Sequence, residues 1–323
     1  MTGRLACPKH MTYGPCGGVG ADGACEAAPH PCAFLGDPVV PWDGGPAPDT
    51  ASVEAVSPDG RALLAIAARS PLVMSMLPAA PLDIASLDAC ADILRGAADA
   101  VLTGDAATSR VQFPPAYRAR LARERGLRVW AGLNCRDRNR VALEGELAAL
   151  AHAGAAAVHC VTGDHPASGR RPEAAPVFDL EGTTLVPRAR ALRLLTSVAE
   201  SPSAPPVADR PRRLAEKVRA GAQAAMLQYC GEAADVAAEA AAARAAGVEG
   251  ELRQELQRTG VDYAAAVDAA AGRAPRAWRW AGEMDEAADA MAALDLPDGF
   301  SRAAAEIYRR LADGRLSLPP DRP

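Results

Sequence analysis

No uninterrupted apolar run in the 323-residue chain approaches the roughly 20 residues needed to cross a bilayer, so a membrane-spanning helix is not expected. There is no excess of positive charge either. Lys plus Arg is 35 against Asp plus Glu 40, a formal net charge of −5, which leaves no electrostatic footprint for nucleic acid. Met1 to Cys7 hold one Arg and no apolar stretch of signal-peptide length, so a soluble, cytoplasmic protein is expected. No G-x-G-x-x-G follows any apolar run, which argues against a dinucleotide-binding fold.

The chain does contain short apolar runs alternating with Ala-rich amphipathic stretches, the pattern of repeated βα units around a parallel sheet. Expected strands are Leu72–Leu77, Ala100–Thr103, Val129–Leu133, Ala157–Val161, Leu194–Val198 and Ala224–Gln228, with Ala277–Trp280 a weaker seventh. Expected helices include Asp83–Arg95, Pro115–Arg125, Arg140–Ala153, Arg210–Ala220 and Ala233–Ala246. The spacing suits a TIM-type (β/α) barrel. Beyond Gln228 the strand character fades and Leu316–Pro323 offers no eighth strand, so the barrel is expected to be incomplete or irregular at its C-terminal end. Residues 1–35 read as a Cys-rich metal-binding module, 36–60 as a linker with a hairpin around Pro58-Asp59-Gly60, and 61–323 as the barrel.

Eight cysteines occur. Cys90, Cys135, Cys160 and Cys230 sit in apolar contexts and read mostly as core thiols. Cys7, Cys16, Cys25 and Cys32 fall among glycines and turn residues such as Gly14-Pro15-Cys16-Gly17-Gly18, where backbone N–H groups can approach metal-bound sulfur. Four thiolates suit tetrahedral zinc, although an iron–sulfur cluster uses the same ligands and His10 or His30 could replace one thiol. A zinc ion saturated by four cysteines has no open position for a water, so this module is expected to be structural.

In such a barrel the chemistry sits at the carboxyl ends of the strands. Those ends carry Thr103-Gly104-Asp105, Asn134 to Asn139, Thr162-Gly163-Asp164-His165, Glu200 and Gln228. Asp164 can accept N–H donors of a heteroaromatic ring, and Gln228 can read a planar polar edge with a paired donor and acceptor.

Leu133-Asn134-Cys135-Arg136-Asp137-Arg138-Asn139-Arg140, Val158 to Pro166 with Thr162-Gly163-Asp164-His165-Pro166, and Pro176-Val177-Phe178-Asp179-Leu180 together resemble the methylenetetrahydrofolate reductase family in its bacterial CRDRNR/TGDHP branch. The stretch Leu214 to Ala222 and Gln228 extend the resemblance. The N-terminal cysteines resemble the zinc-binding module found with these reductases and with the partner subunit of acetogen-type enzymes. The resemblance implies an oxidoreductase of one-carbon metabolism in which a flavin, usually FAD, passes hydride from NAD(P)H to the methylene carbon of a reduced folate. It implies folate contacts from Asp164, Gln228 and Asn134, and cofactor contacts from Thr103, Thr162, Gly163, His165 and Lys217. A homo-oligomer or a reductase partner subunit would fit the same family.

Two departures stand against the family pattern. Ser75 occupies the position of the catalytic Glu, and no Glu occurs between Glu54 and Glu124. A hydroxyl cannot serve as general acid near neutral pH, so Asp105, with Asp164 as the alternative, is the expected substitute acid. Gly132 replaces a His, and Ala199 to Pro206 lack the Tyr and His that contact flavin, so little or no FAD is expected and a nicotinamide would deliver hydride directly. The alternatives are a non-catalytic, folate-binding paralogue and a folate-using enzyme of specialised metabolism.

Overall fold

The computed structural model describes residues 7–36, 39–45, 57–104, 111–168, 171–228 and 239–242, with scattered positions between 284 and 309. The chain divides into two compact units, Met1–Glu255 and Leu256–Pro323. The first unit is an α/β fold with a six-stranded, all-parallel sheet whose strands follow chain order. They are β1 (Met74–Met76), β2 (Ala100–Thr103), β3 (Val129–Asn134), β4 (Ala157–Val161), β5 (Leu195–Glu200) and β6 (Ala224–Leu227). The sheet curls into a half-barrel, the geometry of a partial TIM-type barrel. The expected seventh strand at Ala277–Trp280 and the C-terminal stretch Leu316–Pro323 lie outside the described residues, as does most of Ala233–Ala246.

Each crossover uses a helix, because parallel strands need a long connection that returns over the sheet. The five crossover helices are α2 (Ile84–Leu94), α3 (Pro115–Glu124), α4 (Arg140–Ala153), α5 (Gly182–Ala191) and α6 (Arg210–Arg219), while α1 (Pro58–Ala67) precedes β1. Local signals fix their ends. Asp83 caps α2, its Oδ1 accepting from Ala85 N at 2.8 Å, and Asn139 caps α4 through Ala142 N at 3.0 Å. Gly154 ends α4 in the left-handed region at φ 75°, where a side chain is strained and glycine is not.

The hairpin expected around Pro58-Asp59-Gly60 is instead the first turn of α1. Ser57 Oγ accepts from Gly60 N at 3.1 Å, Pro58 stands at the first helical position, and Asp59 lies in the first turn. All three favour a helix N-terminus, where Pro loses no hydrogen bond and a carboxylate faces the positive end of the dipole. Residues 36–60 are therefore not wholly linker.

Strand side chains alternate between two apolar layers. Val101, Val129, Ala131, Leu133 and Val158 pack outward with Leu143, Leu147 and Leu150 of α4, all buried. The α4 leucines recur at i, i+4 and i+7, one helical face. Ala100, Trp130, Ala157 and Leu195 point into the half-barrel and pack with Leu63, so α1 plugs the amino end. The carboxyl end is left for the site. There the buried Arg118 guanidinium donates to the carbonyls of Leu77 at 3.3 Å, Ala79 at 3.1 Å and Gly104 at 3.2 Å, tying the ends of β1 and β2 together.

Candidate functional site

A cavity of about 760 Å³ occupies the carboxyl ends of the strands, with the Cys-rich segment as its outer wall. Alternation selects what faces it: Met76 from β1, Leu102 and Gly104 from β2, Gly132 and Asn134 from β3, His159 from β4, and Met226 with Gln228 at β6. The floor is polar and closed. Ser197 Oγ accepts from Trp130 Nε1 at 2.9 Å and is hydrogen-bonded to His159 Nδ1 at 2.8 Å. Burial, reinforced by the Lys217 ammonium, pushes the His159 pKa down to about 4, so this imidazole is neutral at physiological pH.

One wall is an ion network. Lys217 Nζ lies 2.6 Å from Glu200 Oε2, and Arg210 Nη1 lies 3.3 Å from Glu200 Oε1, with both side chains of the second pair 1% exposed. Burial opposes ionisation of Glu200, but Lys217, Arg210 and Arg213 outweigh it and hold the carboxyl below its usual range. Burial likewise lowers the Lys217 pKa, partly offset by Glu200. Arg210 also fastens the Cys-rich segment: its guanidinium donates to the carbonyls of Pro15 at 3.3 Å and Cys16 at 2.9 Å, and to those of Ala204 and Pro205. A further tie runs from Thr12 N to Glu181 Oε2 at 3.2 Å, and just beyond the segment Trp42 N donates to Glu216 Oε2 at 2.7 Å. Gly17 lies so close to the end of β5 that a Cβ there would stand 2.5 Å from Ser201 Oγ.

Cys7, Cys16, Cys25 and Cys32 line a second, smaller cavity of about 20 Å³. Burial raises the Cys7 and Cys32 pKa values, and the neighbouring thiols push in the same direction. Among the described residues no three His, Cys, Asp or Glu side chains are grouped as a metal cage. Lys9, Cys16 and Glu26 line both cavities. Lys9 is ion-paired to Glu26. Its burial disfavours charge, yet Cys16, Glu26 and Asp164 together raise its pKa above the ordinary value.

Of the residues expected to act, Asn134, Thr162, Gly163, Asp164, Lys217 and Gln228 line the large cavity. Gly163 adopts φ 91°, the left-handed region that lets β4 turn back on itself. Thr162 Oγ1 accepts from Gly182 N at 3.0 Å, and Asn134 Oδ1 accepts from Arg136 N at 3.0 Å. His165 stands at the rim, its ring stacked on Phe178 at 5.8 Å and its backbone N–H donating to Glu26 Oε1 at 3.3 Å. Thr103 is buried and outside the lining, on the helix side of β2. Asp105 lies outside the described residues. The composition of the N-terminal segment concealed Lys9 and Glu26. Arg210, Arg213 and Lys217 carried a readable signal, a basic stripe at i, i+3 and i+7 on one helical face.

The family model that matches is a domain of unknown function, DUF1932, over residues 243–311. A search of the curated proteins returns no match. Two solved structures show partial similarity. One, from Burkholderia cenocepacia J2315 and provisionally described as a lyase/mutase, is 20% identical, with 58% of this chain and 71% of that chain covered and a TM-score of 0.42. The other, 2,3-dimethylmalate lyase of the PEP mutase/isocitrate lyase superfamily, is 13% identical, with 62% and 66% covered and a TM-score of 0.41. The family model that matches is not that of a methylenetetrahydrofolate reductase, and the expectation of that family, or of any folate-reducing oxidoreductase, is corrected accordingly. The site agrees with the correction. Ser75 donates to the Met76 carbonyl at 2.9 Å and is outside the cavity lining. A Cβ at Gly132 would meet the Thr103 carbonyl oxygen at 2.9 Å, so the His carried by those reductases does not fit.

Proposed function

We propose that this chain is an enzyme acting on a small polar molecule bound in the cavity between the strand ends and the Cys-rich segment. The observation that carries the reading is the company Asp164 keeps. An exposed carboxylate at the end of β4 shares the cavity with Lys9, whose charge it helps to hold, and with the amides of Asn134 and Gln228. A carboxylate beside a cation is suited to proton transfer, and two amides can orient a planar donor–acceptor edge. Neutral His159 below them supplies a hydrogen-bonding floor without adding charge.

The four N-terminal cysteines would hold one zinc ion. In support, all four border one small cavity; no three of them are grouped as a metal cage among the described residues, so the ion would have to draw them together. The ion would close the segment that walls the larger cavity and, with four thiolates around it, would have no place for substrate.

Turnover of metabolite mixtures followed by proton NMR tests the enzymatic reading. The wild type is expected to transform at least one polar metabolite, and Asp164→Asn to slow that reaction by about 10² to 10⁴ while still binding. Binding without transformation by the wild type contradicts catalysis.

A further inference from the structure

We infer that the corner of the large cavity between α6 and the first turn of α5 is an oxyanion subsite, in which Arg213 and Thr183 hold a carboxylate or phosphate group of the bound molecule. The inference deepens the proposed function by naming the class of ligand, and it rests on that reading only for the location of the cavity.

Arg213 is 1% exposed and lines the cavity, yet its Nε and Nη1 have no hydrogen-bond partner. Its Nη2 alone reaches a carboxylate, Glu181 Oε1, at 3.4 Å. Buried guanidinium N–H groups without acceptors are costly, and an anionic ligand oxygen is the acceptor that would satisfy them. Thr183 is fully buried, lines the same cavity, and its Oγ1 is also without a partner. Glu181, the Arg213 partner, is the N-cap of α5, which places Arg213 at the helix end where Thr183 occupies the second position. That end carries the positive pole of the helix dipole.

Glu200 is already shared between Lys217 and Arg210, and the carboxylate of Glu181 is also taken by Thr12 N, so neither carboxylate satisfies Nε and Nη1 of Arg213.

Binding of inorganic phosphate and of acetate to the whole protein, measured by calorimetry at constant ionic strength, tests the subsite. The wild type is expected to bind at least one of them; the tighter of the two identifies the head group as phosphate or carboxylate. Arg213→Lys, which keeps the charge and loses the planar donor set, is expected to weaken binding about tenfold. Thr183→Val, which removes a hydroxyl with no partner and so spares the fold, is expected to weaken it about threefold. Binding of neither anion overturns the inference, and so does binding that folded Thr183→Val and Arg213→Lys leave unchanged. Both readouts are independent of turnover, so their failure leaves the role of Asp164 standing, and a failure of Asp164→Asn leaves the subsite standing.

Discussion

The half-barrel and the Cys-rich segment are held by different forces. The half-barrel is closed by apolar packing: α4 alone buries Leu143, Leu147 and Leu150 against the outward faces of the strands, and each such side chain contributes roughly 1.5–3 kcal/mol. The segment 7–36 buries few apolar side chains, Met11, Tyr13, Val19 and Phe34 among them, and is fastened through the Arg210 guanidinium and the carboxylate of Glu181. A segment with so little core of its own depends on what it is tied to. In this molecule it is tied to the mouth of the barrel, so the least self-sufficient region forms a wall of the site.

The comparison can be broken at either side. The largest effect is expected from Cys16→Ser: zinc near one equivalent in the wild type should fall towards none by elemental analysis, with loss of stabilisation on the order of 10 kcal/mol confined to the segment. Metal-free wild type of full stability would show that the segment needs no ion. Leu147→Ala should instead lower the stability of the whole first unit by about 4 kcal/mol in denaturant unfolding. Arg210→Met should cost about 3 kcal/mol, and the loss should appear first in residues 7–36.

The smallest effect is a matter of pH. The His159 pKa, about 4 in the folded protein against an ordinary 6.5, means that the unfolded chain binds the extra proton between those values. Stability is therefore full above about pH 6.5 and falls as pH drops towards 4, by about 2 kcal/mol between pH 7 and pH 5. The depressed Glu200 pKa has the same sign and acts lower, its contribution being lost as pH falls below the ordinary carboxyl range. Unfolding of His159→Gln should show a flatter pH profile above pH 5. An unchanged profile would mean that another group titrates.

Much of the fold was legible because its signals are local. Periodicity located all six strands to within a few residues, and the helix starts expected at Asp83 and Arg140 lie within one residue of those observed. α1 was missed because Pro58-Asp59-Gly60 carries the chemistry of a turn as well as that of a helix N-terminus, and Ser57 decides between them only through its hydrogen bond. α5 was passed over since Thr183, Thr184 and Pro187 are poor helix formers, and tertiary packing overrides that preference. Position alone puts Asn134, Asp164 and Gln228 at the strand ends, where they line the cavity. The placement of the Cys-rich segment was not legible, because it rests on contacts such as Arg210 to Cys16 that span 194 positions in sequence. The family assigned from short motifs was overturned: motifs at strand ends report how a βα unit turns as much as what it binds.

The account depends most on the Cys-rich segment being the outer wall of the cavity, held there by Arg210. Amide hydrogen exchange of the wild type and Arg210→Met reads this directly. The account predicts faster exchange across residues 7–36 and at Thr162–Asp164 in the variant, with β3 and β4 still protected. Equal protection of residues 7–36 in the two proteins would contradict it.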